Sequence, residues 1–215
     1  MPVALITGGE GFLARKLAGI LHAHGYDAHA PTHGELDVAS ANSVDGWFSS
    51  NPDGYDLVVH AAGITRDALV SRMMPEDWNE VMAVNLRGAF LVSRAAVRPM
   101  LKKRSGHIVF IGSFAGIVGT LGQANYAAAK AGLTGFAKSL AKEAGTRGVR
   151  VNCVLPGFLE SPMTADLCEA QVEATREAHA LKRFNTADDT ANFVAHLDTL
   201  SHVSGQVFQL DSRIS

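Results

Sequence analysis

Apolar positions along this chain recur in two registers, and their alternation predicts a fold. Val3–Ile6 is a short, wholly apolar run that meets glycines at once, as a buried parallel strand would. Residues 14–24 set Leu17, Ile20 and Leu21 on one stripe, at the three- and four-residue steps of a helix. Residues 27–30 read as a weak second strand and 56–60 as a stronger one. Residues 78–101 carry Trp78, Val81, Met82, Leu86, Ala89 and Phe90 at helical steps, which predicts one long helix. Residues 107–111 form another strand, and 126–144 a helix that turns Leu133, Phe136 and Leu140 to a core. Val149–Leu155 is a strand that stops at Pro156-Gly157, and 206–210 is the last. Residues 160–185 are the long stretch without strand character. Such strand–helix alternation predicts an α/β protein: a doubly wound parallel sheet of the Rossmann type, in a single domain over residues 1–215.

Bulk properties narrow the function. A chain of 215 residues suits one domain with a full core, and 47% hydrophobic residues is ordinary for it. A net charge of -2 supplies no strong field for nucleic acid or an anionic membrane, so neither is expected as a partner. The N-terminal apolar run is too short for a signal-peptide core, and no stretch reaches the length of a membrane span. Cys153 and Cys168 make no metal or redox pattern, and no metal is expected. One buried and one partly exposed thiol suit a reducing cytosol, so a cytoplasmic location is expected.

Candidate chemistry enters with Gly122-Gln123-Ala124-Asn125-Tyr126-Ala127-Ala128-Ala129-Lys130. Tyr126 and Lys130 lie four apart, which puts a phenol and an ammonium on one helix face, a turn apart. A neighbouring positive charge favours the ionised phenol and makes the pair usable as proton donor and acceptor. Alone the spacing says little, since solvated helix faces carry it by chance. Three further segments change its weight. Ser113 sits thirteen residues upstream, past the apolar run Ile108-Val109-Phe110-Ile111. Asn85 lies in Val84-Asn85-Leu86. The first strand runs into Thr7-Gly8-Gly9-Glu10-Gly11-Phe12-Leu13-Ala14, a glycine-rich turn that opens a helix. There, backbone amides and a helix N-terminus would face a pyrophosphate.

Together these segments resemble the short-chain dehydrogenase/reductase family. The resemblance covers nearly the whole chain. It is nearest to the 3-oxoacyl-(acyl-carrier-protein) reductases, through Ala62-Gly63-Ile64-Thr65-Arg66-Asp67, residues 122–132 and Pro156-Gly157-Phe158-Leu159-Glu160-Ser161-Pro162-Met163-Thr164. It implies catalysis by Asn85, Ser113, Tyr126 and Lys130. Tyr126 would protonate the carbonyl oxygen as hydride arrives, and Ser113 would hydrogen-bond that oxygen. Lys130 would hold the nicotinamide ribose, and Asn85 a water linking Lys130 to solvent. The cofactor would meet Thr7, Gly8, Gly11, Phe12, Leu13, Asp37, Val38, Ala62, Gly63, Tyr126, Lys130, Pro156, Gly157, Leu159 and Ser161. Residues 160–185 would form a substrate lid. Arg104 and Arg147 align with basic positions that dock acyl carrier protein, although Arg104 also ends a helix, where a cation suits the dipole. The helices over 78–101 and 126–144 would pair with their copies in a homodimer or homotetramer.

The departures from the family concern the adenosine end. Thirty residues separate Thr7 from Asp37-Val38, fewer than the reductases have. The helix between the second and third strands is therefore expected to be missing or reduced to a loop. No acid closes the second strand, where Ala30-Pro31-Thr32-His33 stands; an acid there would bind the 2′-hydroxyl of NAD. NADP(H) is favoured on that ground, with NAD(H) as the alternative. Glu10 opposes it, standing where many NADP-dependent relatives carry arginine, while His33 and Arg15 could compensate. His60-Ala61-Ala62-Gly63 matches the family's Asn-Asn-Ala-Gly with both asparagines replaced, and His60 is expected to be a hydrogen-bonded core residue. Leu210-Asp211-Ser212-Arg213 stands where a glycine pair is usual. The implied activity is NAD(P)H-dependent reduction of a 3-oxoacyl thioester on a carrier protein, in fatty acid or polyketide biosynthesis. The alternatives are reduction of another small carbonyl compound, and a non-catalytic subunit that partners an active homologue.

Overall fold

Six parallel strands build the sheet in a computed structural model that describes residues 1–165 and 167–214. They are β1 (Val3–Ile6), β2 (Asp27–His29), β3 (Leu57–His60), β4 (Gly106–Ile111), β5 (Val149–Leu155) and β6 (Val207–Gln209), in the order β2-β1-β3-β4-β5-β6. The helices are α1 (Phe12–Ala23), α2 (Ala41–Ser50), α3 (Pro75–Met82), α4 (Ala89–Lys103), α5 (Ala115–Val118), α6 (Ala124–Gly145), α7 (Glu169–Glu177) and α8 (Ala187–Thr199). Alternate strand residues face opposite sides, so the apolar strands feed two cores. Leu5, Val58, Ile108, Phe110, Val151 and Leu155 pack with residues of α2, α4 and α6. Ala4, Ile6, Leu57, Val59, Val109 and Val154 pack with α1 and α8. The sheet is doubly wound, as the alternation predicted. Strand order reverses between β1 and β3, and the crevice at the carboxyl ends beside that switch is where ligands bind in such sheets.

Three local features matter. The expected long helix is interrupted: α3 passes through a π-helical segment, Ala83–Gly88, before α4 begins. π-Bulges favour functional sites, and Asn85 lies in this one. Next, no strand forms at Asp37-Val38. The chain leaves β2 in a series of turns, and β2 remains the sheet's edge. Finally, the chain between β2 and Asp37-Val38 carries no helix, as the short spacing predicted, but a helix that the pattern did not announce, α2, stands between Val38 and β3. The Ser40 side chain caps it by accepting from the Ser43 amide at 3.3 Å. Val44 is its fully buried residue, and Gly46, Ser49 and Ser50 dilute the apolar stripe that would have announced it.

The amino edge of the sheet is tied down by a polar network. His107 Nδ1 lies 2.8 Å from Asp198 Oδ1, which also accepts from Arg150 at 2.8 Å, and the Tyr26 hydroxyl donates to the other oxygen. Asn152 completes it at 3.0 Å from His107 Nε2. This network anchors the end of α8 on the side opposite the crevice. No helix among the described residues is long and apolar enough to cross a membrane.

Candidate active site

The centre of the crevice is the buried ammonium of Lys130. Its Nζ donates to the carbonyl of Ile111, the last residue of β4, at 2.7 Å. Ser113 stands two residues beyond, and its Oγ accepts from the Ala115 amide at 3.2 Å. The chain after Ser113 lies directly on α6: a Cβ at Gly116 would stand 2.7 Å from the Ala131 nitrogen. Only a glycine permits that approach, and it carries Ser113 toward the helix that bears Tyr126 and Lys130. The Lys130 Nζ lies 5.5 Å from the Tyr126 ring centroid, so the two side chains do share a face. Gly63 closes the far side, because a Cβ there would lie 3.3 Å from Asn85 Oδ1 and 3.6 Å from Lys130 Nζ. Asn85, Gly63, Lys130 and the β4 end therefore converge. Asn125 steadies the start of α6, accepting from the Tyr126 amide at 2.8 Å and donating to the Arg66 carbonyl at 3.0 Å.

The glycine turn lies beside this centre. Thr7 is buried, and its hydroxyl accepts from the Ala62 amide at 3.1 Å. Gly8 has φ 73°, and a Cβ there would stand 2.8 Å from the Ala62 Cα, so the turn admits only glycine. Gly11 is the N-cap of α1 and brings no side-chain acceptor to the first amides, those of Phe12 and Leu13. An uncapped helix N-terminus behind a glycine turn fits a dinucleotide pyrophosphate. Val38 is buried against Gly88 of the π-helical segment, and Asp37 caps its own turn by accepting from the Ala39 amide at 2.9 Å.

Pro156 and Gly157 follow β5 into the same crevice. Gly157 has φ 86°, and a Cβ there would lie 2.6 Å from the Asp211 Cβ. Leu159 and Ser161 are joined by the Thr164 hydroxyl, which donates to the Leu159 carbonyl at 2.9 Å and accepts from the Ser161 amide at 3.0 Å. Beyond them sequence reasoning missed a cluster. Asp211 accepts from Arg213 Nε and from Gln209, each at 2.7 Å, and its Oδ2 lies 3.5 Å from His179 Nε2. Burial would raise the Asp211 carboxyl; Gln209 and Arg213 outweigh it and hold it low. Arg213 lies 3.9 Å over the Phe114 ring, next to Ser113. His179 and Arg213 are bridged as in an antiparallel pair, which joins the end of α7 to the C-terminal segment. No periodicity marks these residues, because they meet only across the fold.

His60 is a core residue, as expected. Its Nε2 lies 2.9 Å from Ser93 Oγ, and its ring stacks on Phe110 at 4.9 Å. Burial, helped by the Lys130 charge, pulls its pKa down to about 3. Arg104 and Arg147 are brought close together elsewhere. Arg104 donates to the Thr146 carbonyl at 3.2 Å, and both precede strands, so they lie at the sheet's amino edge.

Comparison with known proteins agrees in extent with this architecture. The family model described as enoyl-(acyl carrier protein) reductase matches residues 13–212. The chain is 42% identical to a 3-oxoacyl-(acyl-carrier-protein) reductase of Aquifex aeolicus (strain VF5), over 96% of this chain and 85% of that one. It is 38% identical to the Escherichia coli (strain K12) protein of the same description, over 97% and 95%. It is 37% identical to nodulation protein G of Rhizobium sp. (strain N33), over 99% and 96%.

Proposed function

The chain belongs to the short-chain dehydrogenase/reductase family, and from that premise we propose that it reduces a 3-oxoacyl thioester, carried on acyl carrier protein, to the 3-hydroxyacyl thioester. The observation that carries this reading is the convergence at Lys130, one helical turn from Tyr126 and bonded to the strand end that leads to Ser113. A bound nicotinamide dinucleotide supplies the hydride. The Tyr126 hydroxyl gives its proton to the substrate's carbonyl oxygen, a general-acid contribution of about 10²–10⁴-fold. Ser113 donates to the same oxygen and stabilises the charge that develops on it. The Lys130 Nζ lies 5.5 Å from the Tyr126 ring centroid and has further N–H donors, beyond the one given to Ile111, for ribose hydroxyls. Asn85 fixes the loop over Lys130 through Ile64, and its role in the family would be to hold a water that links Lys130 to solvent.

The cofactor is held at Thr7, Gly8, Gly11, Phe12 and Leu13, at Asp37 and Val38, at Ala62 and Gly63, and at Pro156, Gly157, Leu159 and Ser161. The end of β2 carries no acid of its own, and Glu10 opposes a 2′-phosphate. Arg104 and Arg147 form a basic pair for an acidic carrier protein. The enzyme works as a homodimer or homotetramer, through α4 and α6. Incubation with acetoacetyl carrier protein and NADH or NADPH tests the reading, with the product followed by mass spectrometry. Formation of the 3-hydroxybutyryl thioester is expected; no product with either cofactor overturns it.

A further inference from the structure

The glycine turn and the loop after β2 are stitched together. The Gly9 amide donates to the Pro31 carbonyl at 2.9 Å, and a Cβ at Gly9 would stand 2.0 Å from the Ala30 oxygen. This contact aims Glu10 sideways. Its Oε2 accepts from the His33 amide at 3.2 Å, so its carboxylate lies over the residues that follow β2. In nucleotide-binding sheets of this kind the acid that reads the adenosine ribose stands in that place, at the end of the second strand. Here residues 30–33 contain no acid. The carboxylate arrives instead from the first turn, some twenty residues earlier in the chain.

The surroundings carry the same sign. The Glu35 carboxylate accepts from the Thr32 amide at 2.8 Å and from its hydroxyl at 2.9 Å, which fixes a second negative charge in the loop. Asp37 lies 4.0 Å from His33 Nδ1 and sets a third carboxylate beside the loop. Arg15 lies in the first turns of α1 and makes no ion pair among the described residues, but it answers three carboxylates. A 2′-phosphate would enter this loop against net negative charge. A free 2′-hydroxyl would find an acceptor, since Oε2 spends one lone pair on His33 and Oε1 remains.

We propose that Glu10 is the acid that reads the adenosine ribose and that this chain prefers NADH to NADPH. The inference rests on the dinucleotide-binding reading above. A charge-assisted contact contributes about 1.5–3 kcal/mol, which corresponds to a preference of roughly ten- to a hundred-fold. Glu10 is exposed, so its substitution spares the core.

The test is fluorescence titration of wild type, Glu10→Gln, Glu10→Arg and Glu35→Gln with NADH and with NADPH, giving Kd without any turnover. Wild type should bind NADH at least about ten-fold tighter. Glu10→Gln should bring the two Kd values close together, Glu10→Arg should reverse their order, and Glu35→Gln should change their ratio less than Glu10→Gln does. Tighter binding of NADPH by wild type overturns the inference. So does a ratio that Glu10 substitutions leave alone, or one that Glu35→Gln moves more. Binding of neither cofactor would overturn the dinucleotide-binding reading itself, which separates the two failures.

Discussion

Asn85 holds Ile64 by both ends of its amide: Oδ1 accepts from the Ile64 nitrogen at 2.8 Å, and Nδ2 donates to the Ile64 oxygen at 2.9 Å. The π-helical segment thereby grips the strand-end loop that roofs Lys130. Asn85→Ala leaves two part-buried backbone groups of Ile64 unpaired, at a cost of up to about 1–3 kcal/mol each. Urea unfolding should show a loss in that range, with turnover falling in parallel. Asn85→Asp keeps the acceptor and should recover part of the stability. Wild-type stability in Asn85→Ala would refute the grip.

Tyr126→Phe removes one hydroxyl from a half-buried residue on α6. Turnover should fall to about a hundredth of wild type or less, the lower end of what general acid catalysis contributes, while circular dichroism and cofactor Kd stay near wild type. Lys130→Ala should lose turnover and cofactor affinity together, since Lys130 serves both. Retention of more than a tenth of turnover in Tyr126→Phe would remove Tyr126 from the acid role.

Met82, Leu86, Phe90 and Phe136 line an apolar groove between α3, the π-helical segment, α4 and α6. Phe90 is 43% exposed, unusual for so large an apolar side chain. A second copy seated on this groove would cover it. Light scattering at micromolar concentration should show a dimer or tetramer, and Phe90→Glu should shift it toward monomer. A monomeric wild type would defeat the assignment.

Arg104 and Arg147 lie at the opposite edge of the sheet from Ser113, a strand of six residues away. At ~3.3 Å per residue that is about 20 Å. Their substitution should therefore act on docking and not on chemistry. Arg104→Glu should raise KM for carrier-bound substrate several-fold and leave KM for the coenzyme A thioester unchanged. Equal effects on both substrates would exclude docking at this pair.

Acid should destabilise the fold. Burial pulls His60 down to about 3 and lowers His107 as well, so both are neutral when folded. Their unfolded values lie higher, so their contribution is complete above about pH 6.5 and is lost as pH falls toward the folded values. Asp198 acts in the same direction: burial would raise its carboxyl, but His107 and Tyr26 bond it and hold it low, and its stabilisation is lost in stronger acid. Each histidine contributes a slope of up to about 1.4 kcal/mol per pH unit. Melting temperature should decline from pH 7 to 5, and His60→Gln should flatten that decline. A flat profile in wild type would show that neither histidine is held neutral.

Much of this protein was legible in order along the chain. Strand runs such as Val3–Ile6 and Val149–Leu155 appear at the predicted residues, because continuous apolar runs demand a position buried on both faces. Tyr126 and Lys130 share a face because helix geometry alone puts residues four apart together. The helix α2 escaped notice because it buries a single side chain fully and so leaves no stripe.

The sequence by itself determined the sheet, the family and the spacing of the reacting side chains, since all three are encoded in neighbouring residues and short periods. Only the tertiary structure decided how distant segments meet. Glu10 reaches His33 because the Gly9 turn rests on the Ala30 backbone, and Asp211 reaches Gly157 because β6 lies beside β5. Those contacts join residues far apart in the chain, and their partners are set by strand order and loop length. No local pattern carries either of these.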